Sequence, residues 1–174
     1  ALVSLRQASN AHGLACEAAA RIHELQPRDL AALLWAASSL VTCYVPLAEA
    51  CQQQAMPRLP EFSSRQLTNM AWATATISSD GMAQQVQQLV DEAFSRRISA
   101  RDLPSLCWAL AAASGAPSPR LTASSMALLP EVLMADLPGL CWALAALGAP
   151  AASEALAEAA GGWGPDESAS GLAR

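Results

Sequence analysis

Arg101-Asp-Leu-Pro-Ser-Leu-Cys-Trp-Ala-Leu-Ala111 decides the fold, because it returns in altered form along the chain. The matching stretches are Asp29-Leu-Ala-Ala-Leu-Leu-Trp35-Ala, Gln66-Leu-Thr-Asn-Met-Ala-Trp72-Ala and Asp136-Leu-Pro-Gly-Leu-Cys-Trp142-Ala. Each places an Asp or Gln before Leu, then Leu or Met three residues later, then Trp-Ala. Trp35, Trp72, Trp108 and Trp142 are 37, 36 and 34 residues apart. A frame that recurs in phase at this spacing marks a helical-repeat array, in which one supersecondary unit is copied and stacked.

Within one copy the frame reads as a helix. Leu103, Leu106 and Leu110 fall at i, i+3 and i+7 and share one face. Pro104 and Pro138 fall in the first turn, where a missing N–H costs nothing. Asp29, Gln66, Asp102 and Asp136 stand where a capping residue is expected. Gly148 and the pair Ser114-Gly115 are expected to end this helix in two copies. A second helix follows in each unit, over about 11–25, 44–57, 82–98, 119–133 and a short last one near 151–160. In 82–98, Val86, Leu89, Val90 and Phe94 lie on one stripe, while Gln84, Gln85, Gln87 and Gln88 form a polar face. An apolar residue closes each unit: Leu25, Phe62, Ile98 and Val132.

These units predict an all-α fold, an α-solenoid of antiparallel helix pairs with about 36 residues per repeat and roughly nine to ten helices. One solenoid is expected over 1–160, as a partial repeat 1–28 and repeats at about 29–65, 66–101, 102–135 and 136–160. Ala1-Leu-Val-Ser-Leu5 matches the residues after the Trp in other copies, so the chain is expected to begin inside a repeat of a longer protein. The segment 161–174 is rich in Gly, Ser and Pro and is expected to be an irregular tail carrying the out-of-phase Trp163.

Composition agrees with helices. Hydrophobic residues make up 53% of the 174, but aromatics only 5%, so the apolar content is mostly Ala and Leu, good helix formers. Charged residues are 14%, low for a soluble monomer, which suggests a surface covered by neighbours. The net charge of −5 argues against a broad electrostatic grip on nucleic acid, though not against a local groove. All ten basic residues are Arg, whose planar fork suits phosphate and carboxylate. Five cysteines, with no CxxC, point away from a disulfide framework or structural zinc and toward a reducing compartment. No apolar run is long enough to span a membrane. His12 and His23 have no metal-spaced partners, and no phosphate loop, nucleophile elbow or carboxylate pair is present. The expectation is a non-enzyme without cofactor, metal or small-molecule substrate.

The frame Asp-Leu-x-x-Leu-x-Trp-Ala-x-Ala resembles the octotricopeptide repeat and the similar heptatricopeptide repeats found beside the RAP domain. The best copies are 101–111 and 65–75, and the resemblance covers most of 1–160. It implies paired antiparallel helices in a solenoid. It also implies an organellar protein, of the mitochondrion before the chloroplast, that binds organellar mRNA or rRNA, with some members built into organellar ribosomes. The variable positions near the start of the first helix would then read bases. Here they are Ala31-Ala32, Thr68-Asn69, Pro104-Ser105 and Pro138-Gly139, of which Thr68, Asn69 and Ser105 can hydrogen-bond a base edge. Arg28, Arg65 and Arg101 each stand one residue before the capping position, and stacking would align them into a row able to track phosphates. Trp35, Trp72, Trp108 and Trp142, beside Leu in every copy, are expected in the core, where truncation to Ala costs roughly 3–5 kcal/mol. The partners expected are RNA, protein subunits of a large assembly, or both; a purely protein–protein scaffold is the alternative.

Overall fold

The computed structural model describes residues 13, 15–39, 45–77 and 83–149, and within them every regular element is helical. Residues 15–20 are helical and pass into a 3₁₀ turn, Ile22–Glu24. Seven α-helices follow among the described residues: α1 (Pro27–Ser39), α2 (Val45–Ala55), α3 (Ser64–Ile77), α4 (Ala83–Phe94), α5 (Leu103–Ala112), α6 (Pro119–Leu128) and α7 (Leu137–Ala146). The leading segment 1–12, the helix expected near 151–160 and the tail 161–174 lie outside the described residues.

The Trp-bearing helices α1, α3, α5 and α7 pack side by side in that order, α3 on α1, α5 on α3 and α7 on α5. The intervening helices form a second layer. Helix α2 packs on α1, and α4 packs on α3 and α5. Helix α6 lies more loosely against α4 and α5, and the 3₁₀ segment Met56–Glu61 links α2 to α4. One continuous apolar core runs between the layers.

Position in the stack sets which residues each helix buries. Helix α3 has α1, α5 and α4 around it and buries residues on nearly every side: Leu67, Thr68, Met70, Ala71, Ala73, Thr74 and Ala75. Small side chains there let four helices meet closely. Helix α7 buries only Leu140, Ala143 and Leu144. Helix α4 buries the expected stripe of Val86, Leu89, Val90 and Phe94, and adds Ala93.

Two of the first helices, α1 and α3, begin ahead of Asp29 and Gln66, whereas α5 and α7 begin directly after Asp102 and Asp136, as expected. Asp29 N–H donates to the Gln26 carbonyl (2.9 Å), Gln66 N–H to the Ser63 hydroxyl (3.3 Å), Asp102 N–H to the Ser99 carbonyl (3.0 Å) and Asp136 N–H to the Leu133 carbonyl (2.9 Å). In α1 and α3 the acidic or amide residue is therefore the third helical position, while Asp102 and Asp136 stand at the cap position of α5 and α7, each at the end of a short turn. At α3 the two positions form a reciprocal capping box: Ser63 N–H donates to Gln66 Oε1 (2.7 Å) and Gln66 N–H to Ser63 Oγ. Ser99 and Asp102 do the same in part, with Ser99 Oγ donating to Asp102 Oδ2 (2.7 Å) and accepting from Asp102 N–H (3.3 Å). Asp102 and Asp136 themselves have helical backbone angles and make no side-chain cap bond to the helices that follow them.

Leu25, Phe62, Ile98 and Val132 each stand five residues before the Leu of the frame, Leu30, Leu67, Leu103 and Leu137, the spacing of a hydrophobic staple. Phe62, Ile98 and Val132 are buried, and so are Leu30, Leu67 and Leu103. Leu25, Phe62 and Val132 close 3₁₀ turns in nearly the same extended conformation, with ψ of 139°, 145° and 135°. Pro60 and Pro130, which cannot donate to a continuing helix, help end the preceding element in two of the three.

The far ends of α5 and α7 close alike. Gly115 N–H donates to the Leu110 carbonyl (2.8 Å) and Ser114 N–H to that of Ala111 (3.0 Å); Ala149 and Gly148 repeat this onto Leu144 and Ala145. Both are Schellman closures whose pivot is left-handed, Ser114 at φ 54° and Gly148 at φ 65°. Gln87 of α4 clasps the first, its Oε1 accepting from Ala116 N–H (3.0 Å).

Candidate binding face

The six residues singled out for RNA contact occupy three environments. Arg28, in the first turn of α1, and Arg101, just before α5, are exposed. Asn69 and Ser105 are half-buried near the starts of α3 and α5. Thr68 and Arg65 are already engaged within the fold. Thr68 is buried, and its hydroxyl donates to the Ser64 carbonyl (2.9 Å), so no base edge can reach it. It sits on the crowded central helix, where a side chain one residue past Leu67 meets a neighbouring helix instead of solvent. Arg65 makes an ion pair with Asp102, 37 residues on. Asp102 is buried, and Arg65 and Ser99 are its polar partners. A charge buried this far needs its counter-charge, so Arg65 is a structural tie. The proposed row therefore keeps Arg28 and Arg101 but not Arg65 as a free cation.

The tryptophans also depart from expectation. Trp35 is 49% exposed and Trp142 is 53% exposed; neither is core. Trp72 and Trp108 are half-buried at the edge of the core and pack on one another, with ring centroids 6.2 Å apart and planes tilted by 33°. The reason is angular. At about 100° per residue, Trp108 lies about 140° around the helix from Leu103, away from the Leu103/Leu106/Leu110 stripe. The same offset holds in every copy of the frame, so the four indoles stand on the outward side of the first-helix layer. Truncating Trp35 or Trp142 removes far less buried surface than the core substitution expected from sequence.

Beside the Trp72–Trp108 pair lies a cavity of about 260 Å³, lined by Trp72, Pro104, Ser105, Trp108, Ala135, Asp136 and Gly139. It draws on three consecutive Trp-bearing helices and the turn before α7. The variable positions Pro104, Ser105 and Gly139 open onto it, so part of its rim is visible in the sequence. Asp136, at the expected cap position of α7 but without a side-chain cap bond, is a half-exposed carboxylate in the wall.

Two sequence-silent arginines fasten the layers. Arg58 is held by Glu61 (2.9 Å) and donates to the Leu25 carbonyl (3.1 Å). Arg96 is held by Glu92 (2.5 Å) and donates to the carbonyls of Phe62 and of Leu59, the latter at 3.0 Å. Each reaches back to the turn that precedes an earlier first helix. The contact with Arg58 holds the Glu61 carboxyl below its ordinary range. Burial pushes the thiols of Cys51 and Cys107 up to about 12, which keeps them protonated and unreactive at neutral pH. Cys107 sits 3.9 Å from Ser125 Oγ. Among the described residues no group of three or more His, Cys, Asp or Glu is placed to hold a metal ion, and no helix is long and apolar enough to cross a membrane.

No protein family, curated protein or solved structure matches the chain.

Proposed function

We propose that the chain is a stretch of an α-solenoid, built from antiparallel helix pairs of about 36 residues, that acts as a non-catalytic binding module in organellar gene expression. The octotricopeptide-like frame supports the repeat assignment, and the ordered packing of α1, α3, α5 and α7 is its structural counterpart. The ligand proposed is single-stranded organellar RNA, either mRNA or rRNA, at a local edge and not along the whole surface. A subunit of a mitochondrial ribosome, touching rRNA at one edge and proteins elsewhere, fits this division.

The observation that carries the reading is the outward face of the first-helix layer. It gathers the exposed Trp35 and Trp142, the exposed guanidinium groups of Arg28 and Arg101, and the amide of Asn69. Guanidinium groups take phosphate, indoles offer stacking surface, and an amide can read a base edge. The net charge of −5 limits such contact to a few phosphates. A second reading, a protein–protein scaffold, is favoured by that charge and by the exposed Met126, Leu133 and Met134 on the other helices and turns.

The test is binding of oligouridylate and organellar RNA to the purified chain across a salt series, with Arg28→Glu/Arg101→Glu and Asn69→Ala as variants. Arg65 is left intact because its loss would perturb folding. Removing two phosphate contacts is expected to lower the log–log salt slope by about 1.4. Absence of salt-sensitive binding by the folded wild-type chain would leave the scaffold reading in its place.

A further inference from the structure

We propose that the cavity between the Trp72–Trp108 pair and Asp136 is a receptor for an arginine side chain from a basic segment of a neighbouring protein. The inference rests on the binding-module reading but not on RNA as its ligand.

Three features of the cavity select this occupant. Two indoles in mutual contact form part of the wall, and their faces attract a cation, Trp most strongly among the aromatic residues. On the same wall stands the Asp136 carboxylate, which makes no hydrogen bond or ion pair among the described residues. The remaining lining, Pro104, Ala135 and Gly139, is small or apolar, with the Ser105 hydroxyl as the other side-chain polar group. A flat aromatic surface beside a single unpaired carboxylate matches a guanidinium, which can stack on a ring and present its edge N–H groups to the carboxylate at once.

The competing occupants each leave a mismatch. An aliphatic side chain would cover the indoles but desolvate the Asp136 charge without pairing it, which is costly. A nucleobase could stack, but its phosphates would approach Asp136 in a chain whose net charge is already −5. The equivalent positions elsewhere do not offer the same pairing. Asp102, the counterpart of Asp136 one frame earlier, is buried and occupied by Arg65. This chain thus already seats one arginine on the carboxylate at that frame position, and at the next frame it leaves the carboxylate for an arginine supplied by another molecule. The chain's own Arg101 stands where Arg65 stands one frame earlier, yet it forms no ion pair with Asp136 among the described residues.

The experiment titrates the full 174-residue chain with a capped arginine-rich nonapeptide, its citrulline counterpart and its lysine counterpart, reading tryptophan fluorescence and peptide anisotropy at fixed salt. The arginine peptide is expected to quench the indoles saturably, the lysine peptide to bind less tightly, and the citrulline peptide, equal in shape but uncharged, not to bind. Asp136→Asn is expected to weaken the arginine peptide about five-fold or more. Glu131→Gln, which removes the same charge outside the cavity, leaves it unchanged. Equal weakening by the two variants, or equal affinity for citrulline and arginine peptides, overturns the proposal; the peptide comparison uses wild-type protein and stands even if a variant misfolds. Quenching by oligouridylate that tightens in Asp136→Asn, without arginine binding, would hand the cavity to RNA. If the Arg28→Glu/Arg101→Glu protein loses RNA but keeps the arginine peptide, the two sites are separate, so failure of one reading does not carry the other down.

Discussion

The turn around Phe62 and the turn around Val132 have nearly the same backbone, yet one is tied to its surroundings and the other is not. Phe62 is 1% exposed, and its carbonyl accepts from Arg96. After it come the Ser63–Gln66 capping box, a Ser64 hydroxyl donating to the Arg97 carbonyl (3.2 Å), and the Arg65–Asp102 ion pair. Val132 is 8% exposed and is followed by Leu133 and Met134, 63% and 58% exposed, in the places of Ser63 and Ser64. Leu133 supplies no side-chain cap. The recurring turn is thus set by local backbone chemistry, whereas its rigidity is set by what the next helix pair sends back to it. Among the described residues, α3 to α5 are tied together by more polar contacts than α7.

The largest test of this contrast removes the two buried residues that close the turns. Phe62→Ala is expected to cost about 3–5 kcal/mol and to broaden or abolish the cooperative thermal transition followed by circular dichroism. Val132→Ala is expected to cost about 1–2 kcal/mol, in keeping with the few methyl groups lost. Equal losses at the two sites would mean that the ties around Phe62 add no stability.

A smaller effect isolates one tie. Arg96→Met keeps the aliphatic stem and removes the guanidinium, so the Phe62 carbonyl loses its partner and the Leu59 carbonyl keeps only Phe62 N–H. Because one carbonyl keeps a partner, the site is only partly buried and water can replace some of the bond, the expected loss is about 1 kcal/mol by urea denaturation. Amide hydrogen exchange should rise in α3 and α4 but not in α7. A stability equal to wild type would show the Arg96 contacts to be incidental.

Much of this architecture is legible in the residues. The Trp frame locates the first helices, the Pro104 and Pro138 positions place their first turns, and the Val86/Leu89/Val90/Phe94 stripe marks the buried side of α4. Both Schellman closures fall where Gly148 and Ser114-Gly115 announce them. Asp102 and Asp136 mark the starts of α5 and α7, but the starts of α1 and α3 are displaced because Asp29 and Gln66 imitate a cap, although Ser63-x-x-Gln66 already carries the capping-box spacing. The tryptophans depart from expectation for a different reason. Residue type alone assigns large apolar side chains to the core, whereas their angle around the helix sets them apart from the Leu stripe. The Arg65–Asp102 and Arg96–Phe62 ties join residues 37 and 34 apart, and nothing in a one-dimensional pattern pairs them. For the same reason the burial of Thr68 and the cavity beside Asp136 need the packed helices: both depend on which neighbour stands opposite, not on local spacing.

The smallest effect comes from giving the loose turn what the firm one has. Leu133 has the extended cap conformation, φ −68° and ψ 142°, and its carbonyl already accepts from Asp136 N–H. A serine there can accept from the same N–H, as Ser63 does from Gln66 and Ser99 from Asp102. Since the leucine side chain is mostly exposed, little burial is lost. Leu133→Ser is therefore expected to stabilise the chain by about 0.5–1 kcal/mol and to slow amide exchange in the 3₁₀ turn Met134–Asp136 that leads into α7 while leaving α3 unchanged. A destabilisation instead would mean that Leu133 is held by contacts its exposure does not reveal, and the weakness of that turn would lie in the thin burial of α7 itself and not in its missing cap.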